Sequence, residues 1–234
     1  MFKAALSVAR KLQRFIARPL PDKWNSVHDL FCRLKTRLYY RGFFAHIGEG
    51  SAIHKPMMLS NPRYMSLGRN VIIRKGVRLE AILSDVRNPP HLEIGDNVNI
   101  EQNVHIVCHS RIVIGNDVSI TGHCAIVDVN HPYESLDSHT KIGARISSDR
   151  SFVEIGEGSF LGFGAVILPN VRIGRSCVVG SNAVVTRDVP DRSVVAGNPA
   201  KVIRQYNDVR GEWMRVGEQE NETGKYTRKD DYSC

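Results

Sequence analysis

Of nine histidines in the chain, one stands in a setting suited to proton transfer. His131 lies in the segment VDVNHPYE, directly before Pro132, where a polar stretch spanning 132–151 interrupts the pattern on either side. A loop of that length inside a tight fold is usually functional. A neutral imidazole, with an ordinary pKa near ~6.5, can take a proton from an attacking group and return it to a leaving group. Asp128 and Asn130 precede His131. Each either makes a turn, as Asp and Asn often do, or orients the ring and contacts a substrate. Tyr133 and Glu134 open the loop and are placed to wall a cleft. His28, His46, His54 and His91 fall in the N-terminal segment or in irregular early stretches, where solvated or capping roles suit them. No serine or cysteine motif for covalent catalysis accompanies His131, which favours direct transfer.

The elements that position these residues follow a period of six. Ile155, Leu161, Ile167, Ile173, Val179 and Val185 recur without a break. Four places after each stands a small or β-branched residue: Ser159, Ala165, Val171, Cys177, Ala183 and Val189. Neither a helix of period 3.6 nor simple strand alternation gives this double pattern. The phrase returns upstream at LGRNVI, IGDNVN and IGNDVS, with slips of register between runs that imply insertions. The expected fold is all-β: a solenoid of short parallel strands, each hexad supplying one face and one corner, with three hexads per coil.

The repeats, the VDVNHPYE segment and the closing VVTRDVPDRSVVAGNPAKVIR resemble the hexapeptide-repeat acyltransferases, in particular the maltose, galactoside and nodulation acetyltransferases and their polysaccharide-biosynthesis relatives. The resemblance covers about Gly48 to Arg204. It implies a left-handed parallel β-helix, which spacing alone does not, and homotrimers with sites between subunits. It implies acetyl-CoA as co-substrate, no metal, a saccharide acceptor (free, nucleotide-linked or lipid-linked) and His131 as general base. The positions matching the family's CoA contacts are Gly162, Phe163, Gly180, Ser181, Thr186 and Arg187, with Lys201 and Arg204 facing the nucleotide phosphates. Where sugar-acetylating relatives set an asparagine and an aspartate against the acceptor, this chain has Glu101 and His109, which argues against a simple galactoside or maltose. Other uses of the same prism are a zinc enzyme of the carbonic-anhydrase type, with His105, His109 and His123 as ligands, and a scaffold without catalysis.

The ends differ from the middle. Residues 1–41 hold ten Lys/Arg against Asp22 and Asp29, which accounts for the whole formal net charge of +8. Basicity confined to one segment gives no general case for nucleic-acid binding. Residues 1–45 read as helical, with Phe2, Leu6, Leu12, Phe15, Ile16 and then Val27, Leu30, Phe31, Leu34 and Leu38 among the basic residues. Such a segment either caps the solenoid or lies on an anionic membrane surface. Residues 46–204 are expected to form the solenoid, and 205–234 a polar tail with a short helix around Trp213. Five cysteines without a CxxC pair are read as reduced thiols; with no apolar run long enough to span a membrane and a poor signal peptide, they point to the cytoplasm.

Overall fold

The computed structural model describes residues 17–136 and 139–216, and the backbone of 218–220 and 226–228. Helix α1 (Leu20–Leu38) leads into a stack of coils. The first two coils are β1 (His46–Ile47), β2 (Ala52–Ile53) and β3 (Met58–Ser60), then β4 (Met65–Leu67), β5 (Ile72–Ile73) and β6 (Arg78–Ala81). Two more follow: β7 (His91–Ile94), β8 (Asn99–Ile100) and β9 (His105–Cys108), then β10 (Arg111–Ile114), β11 (Ser119–Ile120) and β12 (Ala125–Val127). The last two are β13 (Phe152–Ile155), β14 (Phe160–Leu161) and β15 (Val166–Ile167), then β16 (Val171–Ile173), β17 (Val178–Val179) and β18 (Val184–Val185).

Each third strand joins the same sheet, so the coils form three parallel sheets around one axis: a left-handed parallel β-helix. The hexad reading locates the core. All twelve positions of the double pattern are buried, and Ile155 pairs with Ile173 one coil on. Each such Ile or Val contributes roughly 1.5–3 kcal/mol by leaving water. Corners need left-handed backbone, and Asn and Gly supply most of it, as at Asn97, Asn103, Asn170, Asn182 and Gly164. His123 holds one of these corners with φ 63°. Gly162 serves coil stacking, since a Cβ there would lie 2.7 Å from the Ser181 amide nitrogen.

Two elements depart from expectation. Residues 201–216 form no helix around Trp213: β19 (Ser193–Ala196), β20 (Lys201–Asn207) and β21 (Glu212–Arg215) extend one sheet, the last two antiparallel. Trp213 packs edge-on against Tyr206 at 5.5 Å, a cross-strand pairing that a helix would lose. In the N-terminal segment, the apolar residues of 1–16 lie outside the described residues. Helix α1 meets the first coils through polar groups. Thr36 Oγ1 accepts from the Ile53 amide at 2.7 Å and Lys35 Nζ donates to the His54 carbonyl at 2.6 Å. Leu20, Trp24, Val27, Phe31, Leu34 and Leu38 are all exposed, Leu38 to 74%.

Candidate functional site

Two insertions leave the same edge of the prism. One joins β6 to β7, the other β12 to β13, and both depart from the ends of strands of a single sheet. Between them lies a cavity of ≈ 250 Å³ whose lining includes Ser84, Asn88, His109, Ser110, Ser147 and Arg150. Arg150 Nη1 donates to Asn88 Oδ1 at 3.3 Å and ties the insertions together.

Asp128 is the post on which this corner is built. It is fully buried, and its carboxylate accepts from the backbone amides of His109, of Ser110 at 2.8 Å and of Arg111 at 2.6 Å. Burial pushes its carboxyl above the usual range, while the three donors pull the other way by favouring the anion. Asp128 therefore turns the chain of the preceding coil and is not presented to a substrate. The His109 ring, also buried, puts Nε2 2.8 Å from Ser84 Oγ.

His131 begins the exposed limb of the second insertion. Its Nδ1 lies 2.7 Å from the Arg145 carbonyl. A carbonyl only accepts, so in the neutral ring Nδ1 carries the proton and Nε2 keeps its lone pair. Arg145 shapes the same loop, donating through Nε to the Thr140 carbonyl and through Nη1 to the Ser135 carbonyl, both at 2.9 Å. The Asn130 carbonyl accepts from the Ser147 amide at 3.1 Å, and the Tyr133 amide donates to Glu134 Oε2 at 3.0 Å. Asn130, His131, Tyr133 and Glu134 are all exposed, and none lines the cavity.

Other sequence-selected residues lie on different parts of the prism. Glu101 follows β8 at another corner, with its carboxylate 3.9 Å from Arg74 Nε. Gly162 and Gly180 occupy that corner two and three coils on, followed by the exposed Phe163 and Ser181. The Phe163 ring is 5.0 Å from His123. Thr186 and Arg187 are exposed after β18, and Lys201 and Arg204 are exposed on β20. Within one chain the three histidines of the zinc reading do not converge. His105 Nε2 faces Arg78 at 3.3 Å, His109 faces Ser84, and His123 Nε2 faces Asn103 at 3.2 Å. Sequence reasoning missed Ser84, Asn88, Arg145 and Arg150; the register slip between Leu79 and Ile94 was the trace of the first insertion. A further cleft, between α1 and the first coil, is lined by Arg33, Arg37 and Arg41 and lies apart from His131.

Comparison with known proteins places the chain. Residues 152–187 match the family model "Bacterial transferase hexapeptide (six repeats)". A protein of Escherichia coli K12 named for O-acetyl transfer in lipopolysaccharide biosynthesis, WbbJ, is 32% identical over 187 residues, covering 78% of this chain and 89% of its own. Galactoside O-acetyltransferase of the same organism is 32% identical over 196 residues, covering 84% and 80%. Among solved structures, the N-acyltransferase AntD of Bacillus cereus, in complex with dTDP and 3-hydroxybutyryl-CoA, shares the fold with a TM-score of 0.61 at 19% identity, over 72% of this chain and 86% of its own. The chain is a member of the hexapeptide-repeat acetyltransferase family.

Proposed function

We propose that the chain moves the acetyl group of acetyl-CoA to a hydroxyl, or an amine, of a saccharide-type acceptor in surface-polysaccharide assembly, with His131 as general base. The observation that carries this reading is the 2.7 Å contact of His131 Nδ1 with the Arg145 carbonyl, which leaves Nε2 ready to accept. As the acceptor oxygen or nitrogen attacks the thioester carbonyl, Nε2 takes its proton. The C–S bond then breaks, and the imidazolium protonates the departing thiolate to release CoA. Holding both substrates in one geometry supplies much of the rate. Backbone amides of an adjacent coil would hold the oxyanion.

The acceptor meets the exposed limb of Asn130, Tyr133 and Glu134, with the cavity beside His109 able to seat a polar substituent. Glu101, at another corner of the same chain, joins that site through a neighbouring subunit of a homotrimer. Phe163, Ser181, Thr186 and Arg187, exposed beside the small Gly162 and Gly180, offer a path for the pantetheine arm. Lys201 and Arg204 supply cations for the CoA phosphates. The activities named for WbbJ and galactoside O-acetyltransferase support the transfer and the saccharide class. His131→Ala is expected to lower kcat by roughly 100-fold or more while acetyl-CoA binds as before. Loss of acetyl-CoA binding with turnover per bound complex unchanged sinks the assignment.

No helix among the described residues is long and apolar enough to cross a membrane. The outward apolar stripe of α1, in the segment that holds the chain's excess charge, supports peripheral attachment to the anionic cytoplasmic face of a membrane. Vesicles containing phosphatidylglycerol should sediment the wild-type protein and not Trp24→Asp; equal binding to zwitterionic vesicles refutes it.

A further inference from the structure

Among the described residues, the metal-ligating side chains that converge lie under α1, away from the site above. His28 and Cys32 stand one turn apart on the helix, His54 follows β2, and their ligand atoms all lie within 4.8 Å of one another. Cys32 Sγ is 3.8 Å from His28 Nε2, and the two imidazole centroids are 5.3 Å apart. Asp29, next to His28, has Oδ1 3.3 Å from His54 Nε2.

These separations suit side chains that share one ion. Zinc holds imidazole nitrogen at about 2.0–2.1 Å and thiolate sulfur at about 2.3 Å, which sets an S–N pair roughly 3.6 Å apart. The Cys32–His28 gap is within a few tenths of an ångström of that. The i, i+4 spacing on α1 turns His28 and Cys32 to one face, as two-ligand helical motifs require. Cys32 and His54 are buried, at 2% and 7% exposure, while the exposed His28 leaves an entry path. Asp29 Oδ1, 3.3 Å from both His54 Nε2 and Arg74 Nη1, would orient the His54 ring from outside the ligand set and leave Nδ1 for the ion.

The setting gives such an ion a task. Helix α1 turns its apolar stripe outward, so it is held to the first coil by a polar seam and lacks the apolar packing that fixes most surface helices. We propose that His28, Cys32 and His54, with a water as fourth ligand, form a zinc site that clips α1 to the first coil of the solenoid. The Cys32 thiolate offsets one of the two charges of the ion. On binding, the Cys32 thiol gives its proton to solvent. The site takes no part in acetyl transfer, so it stands or falls apart from the role of His131.

Titration of the untagged, chelator-treated full chain with Co(II) tests this. Expected are one equivalent bound per chain, a thiolate-to-cobalt charge-transfer band, and displacement of that band by Zn(II). Cys32→Ser should abolish the band. His28→Gln, at an exposed position that the fold does not need, should weaken Zn(II) binding at least tenfold with acetyl transfer unchanged. Absence of stoichiometric binding by the wild-type chain overturns the site, as does binding by both variants equal to wild type.

Discussion

Replacing Asp128 with asparagine removes a charge that three backbone amides share. The carboxylate accepts from His109, Ser110 and Arg111, where the coil below passes into its own. Asparagine keeps one acceptor oxygen and turns an NH2 group toward the donors, so up to two amides lose their partner in a buried corner. A hydrogen bond to a charged group nets about 1.5–3 kcal/mol, which puts the gross loss at roughly 3–6 kcal/mol. Part is returned, because the buried carboxylate carries a desolvation penalty, visible in its raised pKa. A net destabilisation of about 3 kcal/mol remains, and for a chain of this size that lowers Tm by roughly 6–12 °C. Calorimetry alongside steady-state kinetics measures both consequences. Tm should fall, and kcat should fall with it, because His131 begins three residues further on; acetyl-CoA affinity should hold. A Tm within about 2 °C of wild type and an unchanged kcat refute the reading of Asp128 as the post of this corner.

Arg145→Ala removes the two donors that shape the loop around the His131 partner carbonyl; kcat should drop roughly 10- to 100-fold with acetyl-CoA affinity unchanged, since small misplacements of a base carry losses of that order. A fall in affinity alone contradicts the positioning role. Glu154 sits between Arg111 and Arg172 on one face, and hydrogen bonds from both arginines hold its carboxyl below the ordinary 4.5. The stability this network contributes, about 1 kcal/mol, is present above 4.5 and lost as pH falls through the lowered value. Thermal unfolding of Glu154→Gln should therefore show a deficit at neutral pH that closes in acid; a deficit independent of pH rejects it.

The buried half of the fold was legible because three hexads close one coil without remainder between Ile155 and Val189, so every sixth residue returns to the axis. Upstream the pairs Leu67–Ile94 and Ile114–Ile155 span insertions, and the rhythm broke where the site is built. His131 stood out because its loop is long, whereas Ser84 and Asn88 sit in an insertion too short to interrupt the pattern for more than one coil. The orientation of α1 was illegible. Its apolar stripe has the helical spacing of a packed face, yet the side that meets the coils is Cys32 and Thr36, a choice made by partners far along the chain. Around Trp213, local composition suited a helix, and the open edge of β19 decided for strand.

The two insertions leave from a single edge, and the coils above and below keep their pairing across it. A chain built this way can lengthen, shorten or rewrite what projects from that edge while the prism stays in step, because the strand pairing between coils runs beside the projecting segments and not through them. Relatives with the same repeats can therefore differ in acceptor while sharing one way of holding the donor. Exchange of 83–90 and 129–150 between them, with Asp128 and Ser151 kept, is the natural unit for moving a preference from one scaffold to another.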